Sequence, residues 1–354
     1  MTIPTEPIGS IPRPPELLRT IAGHAAGNVP AETLDKAYDE AVLDTLRRFE
    51  ATGSTVITDG EQRKSSFATY PLEGLQNLAA DGVVIPFKDG HTRQLPRLTH
   101  GPFSYGRYAG EYVRRAKPET NHPLKQAVIS ASALSLLYPT DAIAGYRREE
   151  FIQDLVSEAA ADIASAFTAG AQTVQIDFTE GRLSLKLDPS GGLLKSFVAL
   201  NNQVLERFSA AERDRIGVHV CPGGDHDSTH SADVNYAGLL PALFAMKAGR
   251  FYLQLASEAD REGVLRLIAN LLSEGQKIFV GVIDPISPRV ETPEQVRDRL
   301  LEAASILPLD RLGTTDDCGF SPFADDTSTA RDVAFAKIRA RVEGTALAAT
   351  KLGV

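Results

Sequence analysis

The chain has 354 residues, of which 43% are hydrophobic and 23% are charged, and its formal net charge is −9 at pH 7. This balance is typical of a globular protein with a large core, and its acidic surface excludes nucleic acid and membranes as expected partners because both are polyanionic. No apolar run reaches the roughly 18 residues that span a bilayer, and the N-terminus lacks the features of a signal peptide, so we expect a cytoplasmic protein.

Short runs rich in β-branched residues alternate with longer helical stretches, which is the pattern of an α/β protein with a parallel sheet. The eight predicted strands are residues 6–11, 56–59, 126–130, 173–178, 217–221, 251–256, 278–284 and 312–318. Apolar positions with a 3.6-residue period predict helices over residues 34–49 and 152–167, and Gly170 follows the second where a C-terminal cap belongs. We therefore predict a single (β/α)8 TIM barrel, a catalytic domain that occupies residues 1–354.

Residues 67–121 interrupt this pattern after the second predicted strand. The segment is rich in Pro, Gly, Tyr and Arg and has no long helical period. We predict an insertion with a β-hairpin around residues 94–105. Because loops after barrel strands lie on the active-site face, the segment has two interpretations: a lid over a substrate, or a structural addition without a catalytic role.

The strongest local signal lies at the fifth predicted strand, where residues 217–225 read Gly-Val-His-Val-Cys-Pro-Gly-Gly-Asp. Alternate residues of a strand share a face, so His219 and Cys221 point the same way near the end of the strand. Taken alone, such a pair is more often a buried core histidine beside a small thiol. Cys318, the other of the two cysteines, ends the last predicted strand, and in one barrel both cysteines reach the same rim.

Two cysteines are too few for a disulfide framework, so chemistry is the better reason for their placement. Imidazole and thiolate ligands favour zinc over magnesium or calcium. Three protein ligands with one exchangeable position are typical of a catalytic zinc site. We therefore predict that His219, Cys221 and Cys318 bind Zn²⁺.

Carboxylates follow two other predicted strands. Residues 58–64 read Thr-Asp-Gly-Glu-Gln-Arg-Lys, and residues 175–182 read Gln-Ile-Asp-Phe-Thr-Glu-Gly-Arg. Acidic residues at strand ends can bind an ammonium group, act as an acid or base, or cap the next helix.

Taken together, these motifs resemble the catalytic C-terminal barrel of cobalamin-independent methionine synthase over nearly the whole chain. The resemblance rests on residues 8–10 (Ile-Gly-Ser), 59–61 (Asp-Gly-Glu), 175–177 (Gln-Ile-Asp), 219–221 (His-Val-Cys) and 317–319 (Asp-Cys-Gly). It implies that the histidine and the two cysteines bind zinc. It also implies that homocysteine is held near Ile8 and Ser10 and by Glu61 and Asp177, which are the predicted catalytic and substrate-binding carboxylates.

The chain departs from that family at three points. The synthases carry a glutamate as a further zinc ligand where this chain has Gln254, so Gln254 or the nearby Glu258 is the candidate fourth ligand. A histidine that would donate a proton to the departing folate is replaced by Ile286, which has no proton to give. The 354 residues contain one predicted barrel, whereas those synthases have a second one that helps to hold polyglutamyl folate. The alkyl donor therefore stays open.

The resemblance implies a zinc-dependent thiol S-alkyltransferase whose partners are a small-molecule thiol and an alkyl donor. In the first reading, homocysteine attacks a methyl donor. In the alternative, the chain resembles epoxyalkane:coenzyme M transferases, which open an epoxide with a thiolate. The candidates to neutralise the sulfonate are then Arg63, Arg182, Lys64 and Arg13, of which the first two are the predicted substrate-binding cations; the candidates to protonate the alkoxide are His226, His230 and Tyr252.

An alternative of another class is a non-catalytic zinc barrel that binds a small thiol. A zinc hydrolase is a weaker interpretation, because such barrels usually supply several histidine and aspartate ligands. No heptad seam or long apolar stripe stands out, so the sequence leaves a monomer and a homo-oligomer both open.

Overall fold

The computed structural model describes residues 2–354. The helices are α1 (Pro15–Ala25), α2 (Ala31–Ala51), α3 (Gly110–Ala116), α4 (Ala131–Leu134), α5 (Arg148–Thr168), α6 (Glu180–Leu187), α7 (Gly192–Leu205), α8 (Ala210–Arg213), α9 (Leu240–Leu243), α10 (Arg261–Leu271), α11 (Pro293–Ala304) and α12 (Arg331–Leu352). Short 3₁₀ turns occupy Tyr70–Leu72, Lys117–Glu119, Ser135–Leu137, Tyr236–Gly238 and Leu309–Arg311.

The strands are β1 (Leu78–Ala79), β2 (Val84–Pro86), β3 (Thr92–Gln94), β4 (Arg97–Leu98), β5 (Lys125–Ile129), β6 (Thr173–Asp177), β7 (Ile216–Val220), β8 (Gly224–Asp225), β9 (Ser228–Thr229), β10 (Arg250–Leu253), β11 (Lys277–Ile283) and β12 (Leu312–Asp316). Six of them form one parallel sheet in the order β12-β11-β10-β7-β6-β5. These six correspond to the last six predicted strands, which are confirmed.

The first two predicted strands are reduced to single bridges. Thr5 pairs with Thr314 on β12, and Ile57 pairs with Leu124 just before β5, both in parallel. Pro7 has no N–H, which removes one possible ladder hydrogen bond from residues 6–11. The two segments also contact each other, since the Ile11 N–H donates to the Gly60 carbonyl at 3.0 Å.

The predicted helix periods are confirmed in α2 and α5. The buried face of α2 includes Val42, Leu46 and Phe49, and α5 buries its apolar stripe in the same way before ending two residues short of Gly170. The N-terminus of α11 follows its local sequence closely, because the hydroxyl of Thr292 caps the helix and Pro293 occupies its first turn. Within residues 2–354, no helix combines the length and apolarity that a membrane crossing requires.

The segment 67–121 contains two short antiparallel pairs and α3. The hairpin predicted around residues 94–105 was misplaced: β2 pairs with β3, and β1 pairs with β4 outside them. The turn contains Asp89 and Gly90, a dipeptide that favours tight hairpin turns and that the sequence already displayed. Whether the segment serves as an insertion or lid stays a prediction.

Candidate metal centre

Three buried side chains meet where β7 and β12 end. His219 is the fourth residue of β7, Cys221 follows that strand, and Cys318 follows β12. Their ligand atoms all lie within 4.8 Å of one another, and the two Sγ atoms are 3.0 Å apart. The structure therefore brings together the three residues that the sequence predicts as zinc ligands.

The chemistry of this donor set fits a zinc ion. The Nδ1 of His219 lies 3.3 Å from the Tyr252 carbonyl, whereas its buried Nε2 has no hydrogen-bond partner among residues 2–354. Anchoring one ring nitrogen on a carbonyl is how a ligating histidine is usually oriented, and it leaves the other nitrogen for a metal. A hydrogen bond from Cys221, helped by His219, holds the pKa of the Cys318 thiol well below its ordinary value.

Asp317 fixes the chain around Cys318 by accepting four hydrogen bonds from the loop after β10. The donors are the backbone N–H groups of residues 255 and 256 and both the N–H and the hydroxyl of Ser257, at 2.8–2.9 Å. The end of β12 is thereby tied to the end of β10, and the position of Cys318 depends on that tie.

Replacing Asp317 by asparagine (D317N) should lower the free energy of unfolding by about 3 kcal/mol or more, because each hydrogen bond to a charged acceptor contributes about 1.5–3 kcal/mol and an amide keeps one acceptor oxygen. Urea denaturation would measure the change. Asp332→Asn is the matched control, since its side chain is 89% exposed in an ion pair with Arg48; it should change stability by less than about 0.5 kcal/mol. Equal effects in the two variants would contradict the structural role of Asp317.

Gly319 brings the Ile-Gly-Ser turn of residues 8–10 against this centre. A side chain at position 319 would place its Cβ 2.1 Å from the hydroxyl of Ser10, so the approach requires glycine. The Phe320 N–H donates to the Ser10 carbonyl at 3.0 Å, and the Ser321 N–H donates to the Ser10 hydroxyl at 3.2 Å. Two motifs that are about 310 residues apart in the chain thus form one wall.

A cavity of about 490 Å³ opens beside this centre and is lined by His219 and Cys318. Its polar wall includes His219, Cys318, Ser10, Glu61 and Asp177. Much of the remaining wall is apolar and is formed by Ile8, Phe67, Ile85, Phe87, Leu95, Ile129, Leu136, Leu183 and Phe323. The cavity can therefore hold a small molecule with a polar end near the centre and an apolar end beneath segment 67–121.

The two predicted carboxylates, Glu61 and Asp177, both line this cavity. Glu61 adopts a left-handed backbone (φ 56°), which is uncommon for a residue with a side chain and is found at functional sites. Its carboxylate accepts a hydrogen bond from the buried Lys64 ammonium at 2.9 Å. Asp177 accepts one from Gln175 at 2.7 Å, and burial raises the pKa of Asp177 to about 6.

The two predicted substrate-binding arginines do not line the cavity. Arg63 forms ion pairs with Asp35 and Asp39, so its charge is already neutralised on the outer side. Arg182 is buried and directs its guanidinium at Gln254 and at two backbone carbonyls. Both guanidinium groups make structural contacts within the protein. The local sequence could not reveal these contacts, because their partners lie far away along the chain.

The two candidate fourth ligands are also engaged elsewhere. The side-chain oxygen of Gln254 accepts a hydrogen bond from Arg182 at 2.8 Å, and its amide nitrogen donates to Ser257 at 2.8 Å. Glu258 lies 3.6 Å from the same arginine and does not belong to the cluster of the three ligand atoms. Around these three residues, the cluster of candidate ligand atoms within residues 2–354 is therefore limited to His219, Cys221 and Cys318.

Of the three candidate proton donors, only His230 lines the cavity. Burial lowers the pKa of His230 to about 4, so its ring is neutral near pH 7. The Tyr252 hydroxyl donates to Glu6 at 2.6 Å, below the site, where it packs with Phe279. His226 lies among Arg93 and two aspartates on the rim.

Glu180 is a cavity residue that the sequence analysis did not single out. It begins α6, three residues after Asp177, and is 6% exposed. The one signal in the sequence was its place in the run that follows β6. An acidic residue in the first turn of a helix more often stabilises the helix dipole, so this signal was weak.

A family model described as the catalytic domain of cobalamin-independent synthase matches residues 3–341 of the chain. A methionine synthase from Sulfurisphaera tokodaii is 23% identical over 350 residues, covering 99% of this chain and 94% of the relative. A 5-methyltetrahydropteroyltriglutamate–homocysteine methyltransferase from Nitratidesulfovibrio vulgaris is 24% identical over 322 residues, covering 90% of this chain but 39% of that longer protein.

Two solved structures share the fold. A B12-independent methionine synthase from Shewanella sp. W3-18-1, in complex with selenomethionine, aligns with a TM-score of 0.77 at 20% identity over 99% of each chain. A putative vitamin-B12-independent methionine synthase from Listeria monocytogenes aligns with a TM-score of 0.73 at 22% identity over 98% of each chain. At these identities the alignments show a common backbone architecture.

Proposed function

The chain belongs to the cobalamin-independent synthase catalytic-domain family, and from this premise we propose that it transfers a methyl or other alkyl group to the sulfur of homocysteine. The observation that carries the proposal is the convergence of His219, Cys221 and Cys318 at one end of a cavity whose polar wall includes Glu61 and Asp177. Homocysteine has a thiol that can approach the three candidate metal ligands and an ammonium group that can pair with the two carboxylates. The solved relative named for its complex with selenomethionine, the selenium analogue of methylated homocysteine, supports the same substrate class.

We infer that the backbone closes as an (β/α)8 barrel with segment 67–121 inserted after its second strand position. The six-stranded sheet and the bridges at its two edges support this, together with the Ile11–Gly60 hydrogen bond between the edge segments. In a barrel the ends of β6, β7 and β12 meet at one rim, where active sites of this fold lie.

In the proposed mechanism, His219, Cys221 and Cys318 would hold a zinc ion. When bound, zinc supplies Lewis acidity that keeps a substrate thiol deprotonated and nucleophilic at neutral pH. Asp177 and Glu61 bind the ammonium group and so orient the sulfur towards the three ligands. The apolar wall excludes water from the carbon that is attacked. Because Gln254 and Glu258 are held by Arg182, neither would compete with the substrate thiol for the zinc ion.

The lining of the cavity favours homocysteine over coenzyme M as the thiol. A sulfonate needs a cation, and Arg93 is the one arginine or lysine among the described residues that line the cavity. Its guanidinium is already paired with Asp225 and Asp325 at 2.5–3.0 Å. Lys64 and Arg13, the other two candidates, direct their charges at Glu61 and at backbone carbonyls. An ammonium group, in contrast, meets Asp177, whose side-chain partner is the neutral Gln175, beside Glu61, which keeps its ion pair with Lys64.

The test combines metal analysis with turnover on one sample. Purified protein would be assayed for zinc and offered homocysteine or coenzyme M, each with methyltetrahydrofolate, methylcobalamin or epoxypropane, while thiol loss is followed. We expect about one zinc per chain and consumption of homocysteine. Bound zinc without alkylation of either thiol would instead support the non-catalytic thiol-binding barrel, and faster use of coenzyme M would support the epoxide alternative.

A further inference from the structure

Glu180 carries a carboxyl group whose two oxygens have different surroundings. Its Oε1 accepts hydrogen bonds from the hydroxyls of Ser130 and Ser132, which lie at the end of β5 and in α4. Asn201 of α7 holds Ser132 in turn, at 2.7 Å. The buried Oε2 has no hydrogen-bond partner within residues 2–354, and Glu180 lines the cavity of the candidate metal centre.

The two hydroxyls decide which oxygen holds a proton. An oxygen that accepts two O–H donors has its lone pairs engaged, so a proton on this carboxyl resides on Oε2. Burial raises the pKa of Glu180 to about 7; the two serine hydrogen bonds lower it, and the charge of Asp177 raises it. The other groups named here, on α4 and α7, are neutral. A substantial fraction of Glu180 is thus protonated near neutral pH.

We propose that Glu180 is the catalytic acid that gives its Oε2 proton to the departing atom of the alkyl donor. This inference rests on the proposed thiol alkylation. The substrate sulfur, which has lost its own proton to solvent, forms a bond to carbon while the bond from carbon to the departing oxygen or nitrogen breaks. The departing atom takes the electron pair and the Glu180 proton. The resulting carboxylate regains a proton from solvent, so the sum is thiol plus donor giving thioether plus protonated leaving group.

The neighbouring groups are poorer acids. Position 286, close to Gly224 on the rim, is an isoleucine. His230 is neutral, and its Nδ1 contacts the Ser231 hydroxyl at 2.9 Å. Glu61 is paired with the Lys64 ammonium at 2.9 Å, so its carboxylate is already engaged. Asp177 is also buried, and its one side-chain hydrogen-bond partner is Gln175, but it is assigned to the substrate ammonium; Glu180 is the remaining buried carboxyl of the cavity with an unpaired oxygen.

The experiment compares two kinds of donor in the zinc-loaded protein and in Glu180→Gln (E180Q). Opening epoxypropane, or releasing tetrahydrofolate from its methyl form, needs a proton at oxygen or nitrogen, whereas S-methylmethionine releases a neutral thioether that needs none. For whichever proton-requiring donor the unaltered protein uses, E180Q should reduce kcat/KM for homocysteine by about 100-fold or more, which is the usual contribution of a general acid. The rate with S-methylmethionine should change by less than about threefold.

Ser132→Ala is the companion variant. It removes one hydrogen bond to the carboxylate form and should move the basic limb of the pH–rate profile upwards, whereas E180Q should lose that limb. Equal loss with both kinds of donor in E180Q, or no loss with either, would overturn the role of Glu180 while the alkylation itself stands. No alkylation by the unaltered protein with any donor would overturn the proposed function and this inference with it.

A second readout needs no turnover. An unfolded glutamate loses its proton near pH ~4.3 and Glu180 in the folded protein near about 7, so between these values the folded state binds more protons and loses stability as pH rises. The stability of E180Q relative to the unaltered protein should therefore increase between pH 4 and 8. A difference that does not change with pH would show that Glu180 stays ionised and would overturn its role as an acid.

Discussion

Replacement of Cys318 by alanine (C318A) should remove zinc from the purified protein and reduce alkylation of homocysteine by more than about 100-fold, since even partners that merely orient a metal ligand cost about 10- to 100-fold when mutated. The reason is geometric. Cys318 is the one ligand contributed by β12, and without it His219 and Cys221 are two ligands on a single strand end, too few for a stable tetrahedral site.

The same result is expected for Cys221→Ala and His219→Ala, measured by metal analysis after dialysis and by thiol loss. His122→Asn is the matched control for the histidine, because His122 lies near Glu50 with 41% of its side chain exposed, and it should keep both zinc and activity. Thermal melting of each variant separates metal loss from unfolding. Full zinc content and activity in C318A would contradict the three-ligand centre.

Replacement of Asp177 by asparagine (D177N) should raise the KM for homocysteine by about 10- to 100-fold. The reason is that a hydrogen bond between an ammonium and a buried carboxylate contributes about 1.5–3 kcal/mol, and an amide supplies no charge. Asp177 is the better of the two carboxylates to replace. Glutamine at position 61 would leave the buried ammonium of Lys64 without its ion pair and would destabilise the fold.

The matched control for D177N is a second substrate that lacks the amino group. 4-Mercaptobutanoate is homocysteine without its amino group, so it keeps the thiol and the carboxylate but has no ammonium for Asp177 to bind. D177N should change KM for this thiol by less than about threefold. A similar increase for both thiols would mean that Asp177 supports the cavity in general and does not recognise the amino group.

The main elements of the fold followed from the sequence where local signals were strong. The six strands of the sheet and the helices α2 and α5 have the apolar runs and 3.6-residue periods that predicted them. The family resemblance, stated from five short motifs, is confirmed by the family model. The first two predicted strands form only single β-bridges, because their pairing depends on the approach of segments that are distant in the chain. Pro7 also removes one possible hydrogen bond from residues 6–11.

The candidate site divides in the same way. His219 and Cys221 share a face of one predicted strand, and Cys318 ends another, so their meeting was expected from strand periodicity and from the predicted barrel. The two arginines illustrate the opposite case. Arg63 and Arg182 stand beside the predicted carboxylates in sequence, yet each is drawn away by partners that are 24 to 76 residues distant.

The sequence by itself determined the family, the candidate metal ligands and the strands that carry them, because each depends on residue identity and short-range spacing. Only the tertiary structure decided which charges remain available in the cavity, because an ion pair forms wherever folding brings two groups within about 4 Å, whatever their separation along the chain. That is why Gln254 and Glu258 turn to Arg182, why Arg93 is occupied, and why one oxygen of Glu180 is held by two serines while the other, also buried, has no partner within residues 2–354.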